Sequence, residues 1–159
     1  MKKIRNLEYA KKSLLGLSIG DAFGDSFFGD EDVIDNCINN QIVPPTTKWE
    51  FTDDTVMAIG IYNNLKSNGY INQNELAKQF SQNYQYQINR GYGGTAHKIL
   101  REIGEGKSWR EVSSGVFDGQ GSMGNGAAMR VAPLGAYYYD NIHLLKLEAI
   151  RSAEVTHYN

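Results

Sequence analysis

The chain has 159 residues, 41% hydrophobic and 21% charged, with a formal net charge of −2 and a pI near 5.9. These values are typical of one globular domain with a single substantial core, and without a lysine and arginine cluster they argue against a nucleic-acid-binding or membrane-surface protein. A single cysteine, Cys37, no signal-peptide pattern and no long apolar run predict a soluble, cytoplasmic protein without a membrane span.

The first third of the chain predicts one helix followed by a long loop. Residues 5–20 place apolar side chains at helical spacing. Gly16, Gly20 and Gly24 recur every fourth residue, which would put them on one helix face and let another helix or a ligand approach. Residues 25–51 show no sustained period, and we predict a long surface loop of the kind that often carries function.

The rest of the chain predicts helices joined by turns. Asn72, with Glu75 three residues later, is typical of a helix cap, and Ser108 with Glu111 indicates a capping box. No alternating strand pattern occurs, so we predict an all-α fold in one domain, residues 1–159. The predicted helices cover about 53–67, 73–86, 96–103, a short segment after Ser108, 124–137 with a bend at Pro133, and 141–155.

Two glycine-rich turns each lead into a predicted helix. In the turn that begins at Gly121, Gly124 and Gly126 lack a Cβ atom, and Asn125 tolerates left-handed geometry. A second such turn runs from residue 89 to 95. Such turns expose amide N–H groups at the positive end of the helix dipole, which suits a phosphate or diphosphate. The alternative is a flexible loop before an ordinary helix.

Thr52, Asp53 and Asp54 supply three oxygen-bearing side chains at consecutive positions. Hard cations such as Mg²⁺ prefer oxygen ligands, and adjacent carboxylates repel each other unless a positive charge lies between them. The alternative is that Thr52 caps the helix while the two aspartates complement its dipole. None of the three histidines has metal-ligand spacing with another histidine or cysteine, so we predict no zinc site.

Five short segments occur in an order that points to one family. They are Gly20-Asp21-Ala22-Phe23-Gly24, Thr52-Asp53-Asp54-Thr55, Arg90-Gly91-Tyr92-Gly93-Gly94-Thr95-Ala96, Gly124-Asn125-Gly126-Ala127-Ala128-Met129-Arg130-Val131-Ala132-Pro133 and Thr156-His157. The set resembles the ADP-ribosylglycohydrolases, relatives of the dinitrogenase reductase-activating glycohydrolase. The resemblance covers essentially the whole chain.

The resemblance implies an all-helical fold with a two-magnesium centre in a cleft, with Mn²⁺ as the alternative metal. The implied reaction hydrolyses the N- or O-glycosidic bond between ADP-ribose and a protein side chain or small acceptor. Thr52, Asp53 and Asp54 would be metal ligands, and one of the two aspartates would also be the base for the attacking water. The residues implied in binding the diphosphate, the proximal ribose and their surroundings are Gly91, Gly93, Gly94, Gly121, Ser122, Met123, Gly124, Asn125 and His157.

The chain departs from the family pattern in two ways. Phe28 stands where the family normally has a glutamate that belongs to a mobile loop and is tied to catalysis in some members. Asp30 or Glu31, from the same loop, is the candidate substitute. The second acidic motif of the family's C-terminal half, Asp-x-Asp-Thr, is missing, so we expect an N-terminal portion with about three protein oxygens for a cation.

The missing C-terminal half also leaves the assembly state and the activity open. Uncovered apolar faces on the helices at 53–67 and 124–137 would favour a homo-oligomer or a complementing C-terminal chain. The alternative to a hydrolase is a catalytically incomplete protein that binds ADP-ribose or another nucleotide, or a subunit that needs such a partner.

Overall fold

The computed structural model describes residues 2–46 and 48–158. Within them the chain forms eight α-helices and one 3₁₀ turn and no β-strand, which confirms the predicted all-α fold. None of the described helices is both long and apolar enough to cross a membrane. The helices are α1 (Lys2–Asp25), α2 (Glu31–Asn40), α3 (Asp53–Asn68), α4 (Gln73–Tyr86), α5 (Gly94–Gly104), α6 (Trp109–Ser114), α7 (Ala132–Tyr137) and α8 (Ile142–Glu154).

Helix α3 lies at the centre of the fold and packs against α1, α4 and α7. Val56, Ile61 and Leu65 are at most 1% exposed, since the α3 sequence is apolar around most of its circumference. Gly60 lets the Phe80 ring of α4 approach closely, because a Cβ at position 60 would lie 2.7 Å from the ring. The prediction that α3 leaves an apolar face uncovered is therefore wrong. This packing fixes the position of the N-terminus of α3.

Exposed apolar side chains occur instead on the two outer helices. On α1, Leu15 is 61% and Ile19 54% exposed, while on α8 Ile142 is 56% and Ile150 57% exposed. The glycines of α1 do not receive a neighbouring helix, since a Cβ built at position 16, 20 or 24 would meet no atom within 4 Å. Helix α1 also runs five residues past the predicted end at residue 20, to Asp25.

The predicted loop over residues 25–51 contains a helix, α2, and that part of the prediction is wrong. The Asp30 side chain caps α2 by accepting a hydrogen bond from the Val33 amide at 3.2 Å. The helix ends where Gln41 adopts a left-handed φ of 55°. The sequence carried these signals, an aspartate cap followed by two acidic residues, although the helix buries little apolar surface beyond Cys37.

The predicted helix over 124–137 is also wrong, because it is two separate elements. Asn125–Ala127 form a 3₁₀ turn, and α7 begins only at Ala132. Pro133 lies in the first turn of α7, where a missing amide hydrogen costs nothing, so it starts the helix and does not bend it. The Asn72 cap is confirmed, since its side chain accepts from the Glu75 amide, whereas Ser108 makes no side-chain cap bond.

Candidate active site

The N-terminus of α3 is held in place by the Asp21 carboxylate of α1. Asp21 accepts hydrogen bonds from the Thr52 amide at 2.9 Å and hydroxyl at 2.6 Å, and from the Thr55 amide at 3.1 Å and hydroxyl at 2.6 Å. Thr52 occupies the cap position but makes no side-chain cap bond of its own. The interpretation of Thr52 as the capping side chain is therefore wrong. A carboxylate from another helix caps α3, whereas Asp53 and Asp54 do lie in its first turn, where they complement the helix dipole.

The first turn of α3 also rests on the second glycine-rich turn. The Asp53 amide donates to the Arg90 carbonyl at 2.6 Å. Gly91 has a φ of +84°, and a Cβ there would lie 3.6 Å from Asp53 Oδ1 and 3.7 Å from Thr52 Cβ. The Arg90 guanidinium donates to the Phe51 carbonyl at 3.1 Å and lies 4.6 Å above the Phe51 ring. These contacts set the Asp53 carboxylate beside the turn that leads into α5.

The carboxyl groups of Asp53 and Asp54 both have raised pKa values in the metal-free protein. Burial, and then the charge of Asp54, raise the pKa of Asp53 to about 6. Burial, and then the charge of Asp21, raise the pKa of Asp54 above its usual value. A cation bound next to them would reverse both shifts, because it favours the ionised carboxylates.

The donor atoms at this position fit a hard cation such as Mg²⁺. Thr52 Oγ1 gives its proton to Asp21 and lies 3.3 Å from Asp54 Oδ2, and adjacent oxygens around Mg²⁺ are about 3 Å apart. The set is nevertheless incomplete: in the described part of the chain, no three His, Cys, Asp or Glu side chains form a group that could hold a metal ion. Thr52, Asp53 and Asp54 can therefore supply only part of a coordination shell.

A cavity of about 350 Å³, here called the histidine cavity, opens between α3, α5 and the loop before α7. The first turn of α5 lines one wall of this cavity. Its N-cap residue is Gly93, which has no side chain to accept hydrogen bonds from the amides of that turn. The amides of that turn are therefore available to a ligand. The predicted site residues that line this cavity are Asp53, Gly93, Gly94, Ser122, Met123, Gly124, Asn125 and His157.

A second cavity, of about 450 Å³ and here called the aspartate cavity, lies on the other side of the first turn of α3. Thr52 and Asp54 line it, whereas Asp53 lines the histidine cavity, and Asn125 lines both. The two cavities therefore adjoin at the acidic pair. A group bound by both aspartates would lie at this junction.

Two predicted ligand-binding glycines lie outside both cavities. Gly91 packs against Thr52 and Asp53, as described above. Gly121 is buried, and its amide donates to the Val116 carbonyl at 3.0 Å, so this amide is not available to a ligand. Their positive φ values, 84° and 76°, give both glycines a conformational role in shaping the turns.

Comparisons with known proteins identify the family of this chain. The family model for ADP-ribosylglycohydrolase matches residues 3–159. The chain belongs to the ADP-ribosylglycohydrolase family. It is 35% identical to ADP-ribosylhydrolase ARH3 of Xenopus tropicalis over 136 residues, which cover 79% of this chain and 38% of the relative.

Two further ARH3 proteins of the family are similar to this chain. ADP-ribosylhydrolase ARH3 of Gallus gallus is 34% identical, with 69% of this chain and 30% of the relative covered. The human ADP-ribosylhydrolase ARH3 is 29% identical, with 96% of this chain and 46% of the relative covered. The chain thus spans less than half the length of each of these three curated ARH3 relatives.

The site contains three further residues for which the sequence had indicated no role, namely Asp21, Asp25 and Arg130. Asp21 positions the acidic turn, and Asp25 lines the aspartate cavity. The proposed substitute Asp30 is instead engaged as the cap of α2, and Phe28, 85% exposed, lines the aspartate cavity. The four-residue spacing of Asp21 and Asp25 on one helix face was the signal that could have found both.

Arg130, the third of these residues, has no solvent exposure and borders the histidine cavity. Its guanidinium lies 4.5 Å above the Phe80 ring and donates to the Ser152 carbonyl at 2.8 Å and Thr156 Oγ1 at 2.9 Å. Burial lowers the pKa of Arg130 to about 9, so it remains a cation at neutral pH. Among the described residues it has no carboxylate in ion-pair contact. The sequence motif contained this arginine but gave no indication of its burial.

Proposed function

We propose that this chain forms part of a hydrolase that cleaves the glycosidic bond between ADP-ribose and a protein side chain or small acceptor. We further propose that the activity depends on Mg²⁺, with Mn²⁺ as the alternative, and takes place in the cytoplasm, where the single buried cysteine stays reduced. The observation that carries the proposal is that Asp53, the uncapped N-terminus of α5 and His157 line one cavity.

The histidine cavity offers distinct environments for the parts of ADP-ribose. The amides at Gly94, Thr95 and Ala96 lie at the positive end of the α5 dipole, which suits the diphosphate. Met129, Ile99 and Leu100 provide apolar walls for the sugar and base faces. The volume of about 350 Å³ is in the range of small-molecule sites.

The acidic pair supplies the chemistry at the anomeric carbon. Thr52, Asp53 and Asp54 would hold the metal, which when bound orients ribose hydroxyls and lowers the pKa of a bound water. One of the two aspartates, ionised next to the metal, would also accept a proton from the attacking water. The remaining metal ligands would come from a C-terminal part of the protein or from a separate complementing chain.

A second function is favoured by one observation, the incomplete set of metal-binding groups among the described residues. In that case the chain binds ADP-ribose or a related nucleotide without hydrolysing it. Binding would then use the α5 amides and His157 and would not depend on Mg²⁺.

Calorimetric titration of the chain with ADP-ribose, with and without Mg²⁺, separates the two functions. If the chain is part of a hydrolase, we expect ADP-ribose to bind more tightly in the presence of Mg²⁺. Asp53→Asn should remove this dependence on Mg²⁺. Glu8→Gln, which removes an exposed carboxylate on α1 far from the site, is the matched control and should keep it.

The Mg²⁺ dependence of ADP-ribose binding decides between the two functions. Binding of equal strength with and without Mg²⁺ would overturn the hydrolase proposal in favour of the nucleotide binder. If no ADP-ribose binds, both functions are contradicted for this chain alone. A hydrolysis assay with ADP-ribosylated peptide then tests the catalytic step in any preparation that binds.

A further inference from the structure

We propose that Arg130, acting through the Thr156 hydroxyl, holds His157 as the neutral tautomer whose proton is on Nε2. His157 would then present a fixed N–H donor to the ligand in the histidine cavity, while Arg130 and Thr156 are positioning residues. The identity of the ligand rests on the function proposed above, but the tautomer does not.

The chain of hydrogen bonds begins at Arg130, which can only donate. A guanidinium carries five N–H donors and no acceptor. The bond of 2.9 Å between Arg130 Nη2 and Thr156 Oγ1 therefore uses the threonine oxygen as the acceptor. Since Arg130 is fully buried and packed on the Phe80 ring, this direction is fixed by the fold.

The Thr156 hydroxyl connects Arg130 to the His157 imidazole by a second hydrogen bond. Its hydroxyl has one proton, and its oxygen lies 2.7 Å from His157 Nδ1. Among the described residues, Nδ1 is the one acceptor in hydrogen-bond contact with this hydroxyl. The oxygen has a second lone pair and could instead accept from a protonated Nδ1, but the buried hydroxyl would then have no acceptor for its own proton among the described residues. We therefore place the proton between Thr156 Oγ1 and Nδ1, with Nδ1 unprotonated.

A neutral imidazole with unprotonated Nδ1 carries its proton on Nε2. That nitrogen faces the loop before α7, where an added Cβ would lie 3.2 Å from it at Gly126 and 3.7 Å at Gly124. A Cβ atom on residue 126 would lie 2.8 Å from His157 Cε1, so the His157 ring fits here because residue 126 is a glycine. No described residue accepts a hydrogen bond from Nε2, and the ring borders the cavity.

The arrangement suits an anionic or hydroxyl oxygen of the ligand. The fixed Nε2–H would donate to a phosphate or ribose oxygen, and His157 would not act as a proton acceptor for the attacking water. Burial, and then the positive charge of Arg130, lower the pKa of His157 to about 4, in agreement with a neutral ring at physiological pH.

The tautomer can be measured directly by long-range ¹H–¹⁵N NMR on the ligand-free chain, whose other two histidines are internal references. We expect His157 to show a protonated Nε2 and an unprotonated Nδ1. Thr156→Val should convert it to a mixture of tautomers, and Thr156→Ser should restore the single form. Ser152→Ala is the matched control, because its buried hydroxyl donates to Ala149 and does not contact His157.

Titration with ADP-ribose then tests the role of the donor. Thr156→Val should weaken binding about fivefold, the value of one hydrogen bond, and Thr156→Ser should recover it. A protonated Nδ1 or a charged ring in the unmodified protein near neutral pH would overturn the proposal, even if Thr156→Val fails to fold. An unchanged tautomer in a folded Thr156→Val would also overturn it. If ADP-ribose does not bind the unmodified protein, the proposed function fails while the NMR result still decides the tautomer.

Discussion

Two charged groups border the histidine cavity, the fully buried Arg130 and the half-buried Asp53, and the fold stabilises their charges to different extents. Arg130 lies in the core, where two neutral oxygens accept its hydrogen bonds and an aromatic ring covers its face. Asp53 lies at the start of α3, beside a second carboxylate that raises its pKa further. Nη2 of the guanidinium is therefore paired within the protein, although the buried Nε has no partner among the described residues, whereas the carboxylate is left with repulsion that a bound cation would remove.

This difference separates a group that shapes the site from one that is ready to bind. A buried polar group with its partners in place stabilises one geometry, and its loss leaves those partners unsatisfied. A carboxylate with a raised pKa costs stability in the absence of its ligand, which is common at functional sites. The comparison predicts that removing the charge of Arg130 destabilises the fold, while removing that of Asp53 stabilises it.

The largest effect is expected from Arg130→Met. The variant leaves Thr156 Oγ1 and the Ser152 carbonyl without their donor, and we expect the free energy of unfolding to fall by about 3 kcal/mol. Urea denaturation followed by circular dichroism measures it. Arg110→Met is the control, because Arg110 makes an exposed contact with the Trp109 ring and should cost less than about 1 kcal/mol. Equal losses in the two variants would contradict the assigned role of Arg130.

A smaller loss is expected from Asp21→Asn. One Asp21 oxygen accepts from the Thr55 amide and hydroxyl, and the other accepts from the Thr52 hydroxyl. In the variant one of these oxygens becomes an NH₂ group, which cannot accept, so at least one donor loses its acceptor. We expect the free energy of unfolding to fall by about 2 kcal/mol. Asp25→Asn, one turn along the same helix, should change it by less than about 0.5 kcal/mol. If the two variants behave alike, Asp21 does not anchor α3.

The sequence predicted those parts of the fold that have strong local signals. The all-α class and the helices α4 and α8 follow from apolar periodicity and from caps such as Asn72, and α3 follows from a continuous apolar run. Helix α2 was missed although it has a cap and apolar side chains at helical spacing, at Val33, Ile34, Cys37 and Ile38. The break at 128–131 was missed because the apolar run continues through it and no local signal marks it.

The site was predictable as a set of residues but not as a geometry. The motifs identified Asp53, Gly93 and His157, which the structure brings to one cavity. The anchoring by Asp21 spans 31 residues of sequence, and the contact between Arg130 and Thr156 spans 26. Such long-range hydrogen bonds depend on helix packing, so no spacing rule within the sequence could indicate them.

Asp53→Asn gives the smallest expected change, and its sign is opposite to the other two. The folded-state pKa of about 6 lies above the usual 3.8, so the folded protein binds the proton more tightly than the unfolded chain. This contribution to stability is therefore present at acidic pH and is lost as the pH rises from about 4 to 6. In the metal-free protein at pH 7, we expect Asp53→Asn to raise the free energy of unfolding by about 1 kcal/mol, after allowing for solvent screening.

The pH dependence is the measurement that tests this explanation. Thermal unfolding of Asp53→Asn and of the unmodified protein should differ most near pH 7 and converge below pH 4, where the Asp53 carboxyl is protonated. Glu8→Gln, whose carboxylate is exposed on α1, should show no such convergence. Added Mg²⁺ should raise the Tm of the unmodified protein more than that of Asp53→Asn, because a ligand stabilises the state that binds it. An Asp53→Asn variant less stable than the unmodified protein at pH 7 would mean that the Asp53 carboxylate already has stabilising partners in the fold, as Arg130 Nη2 has.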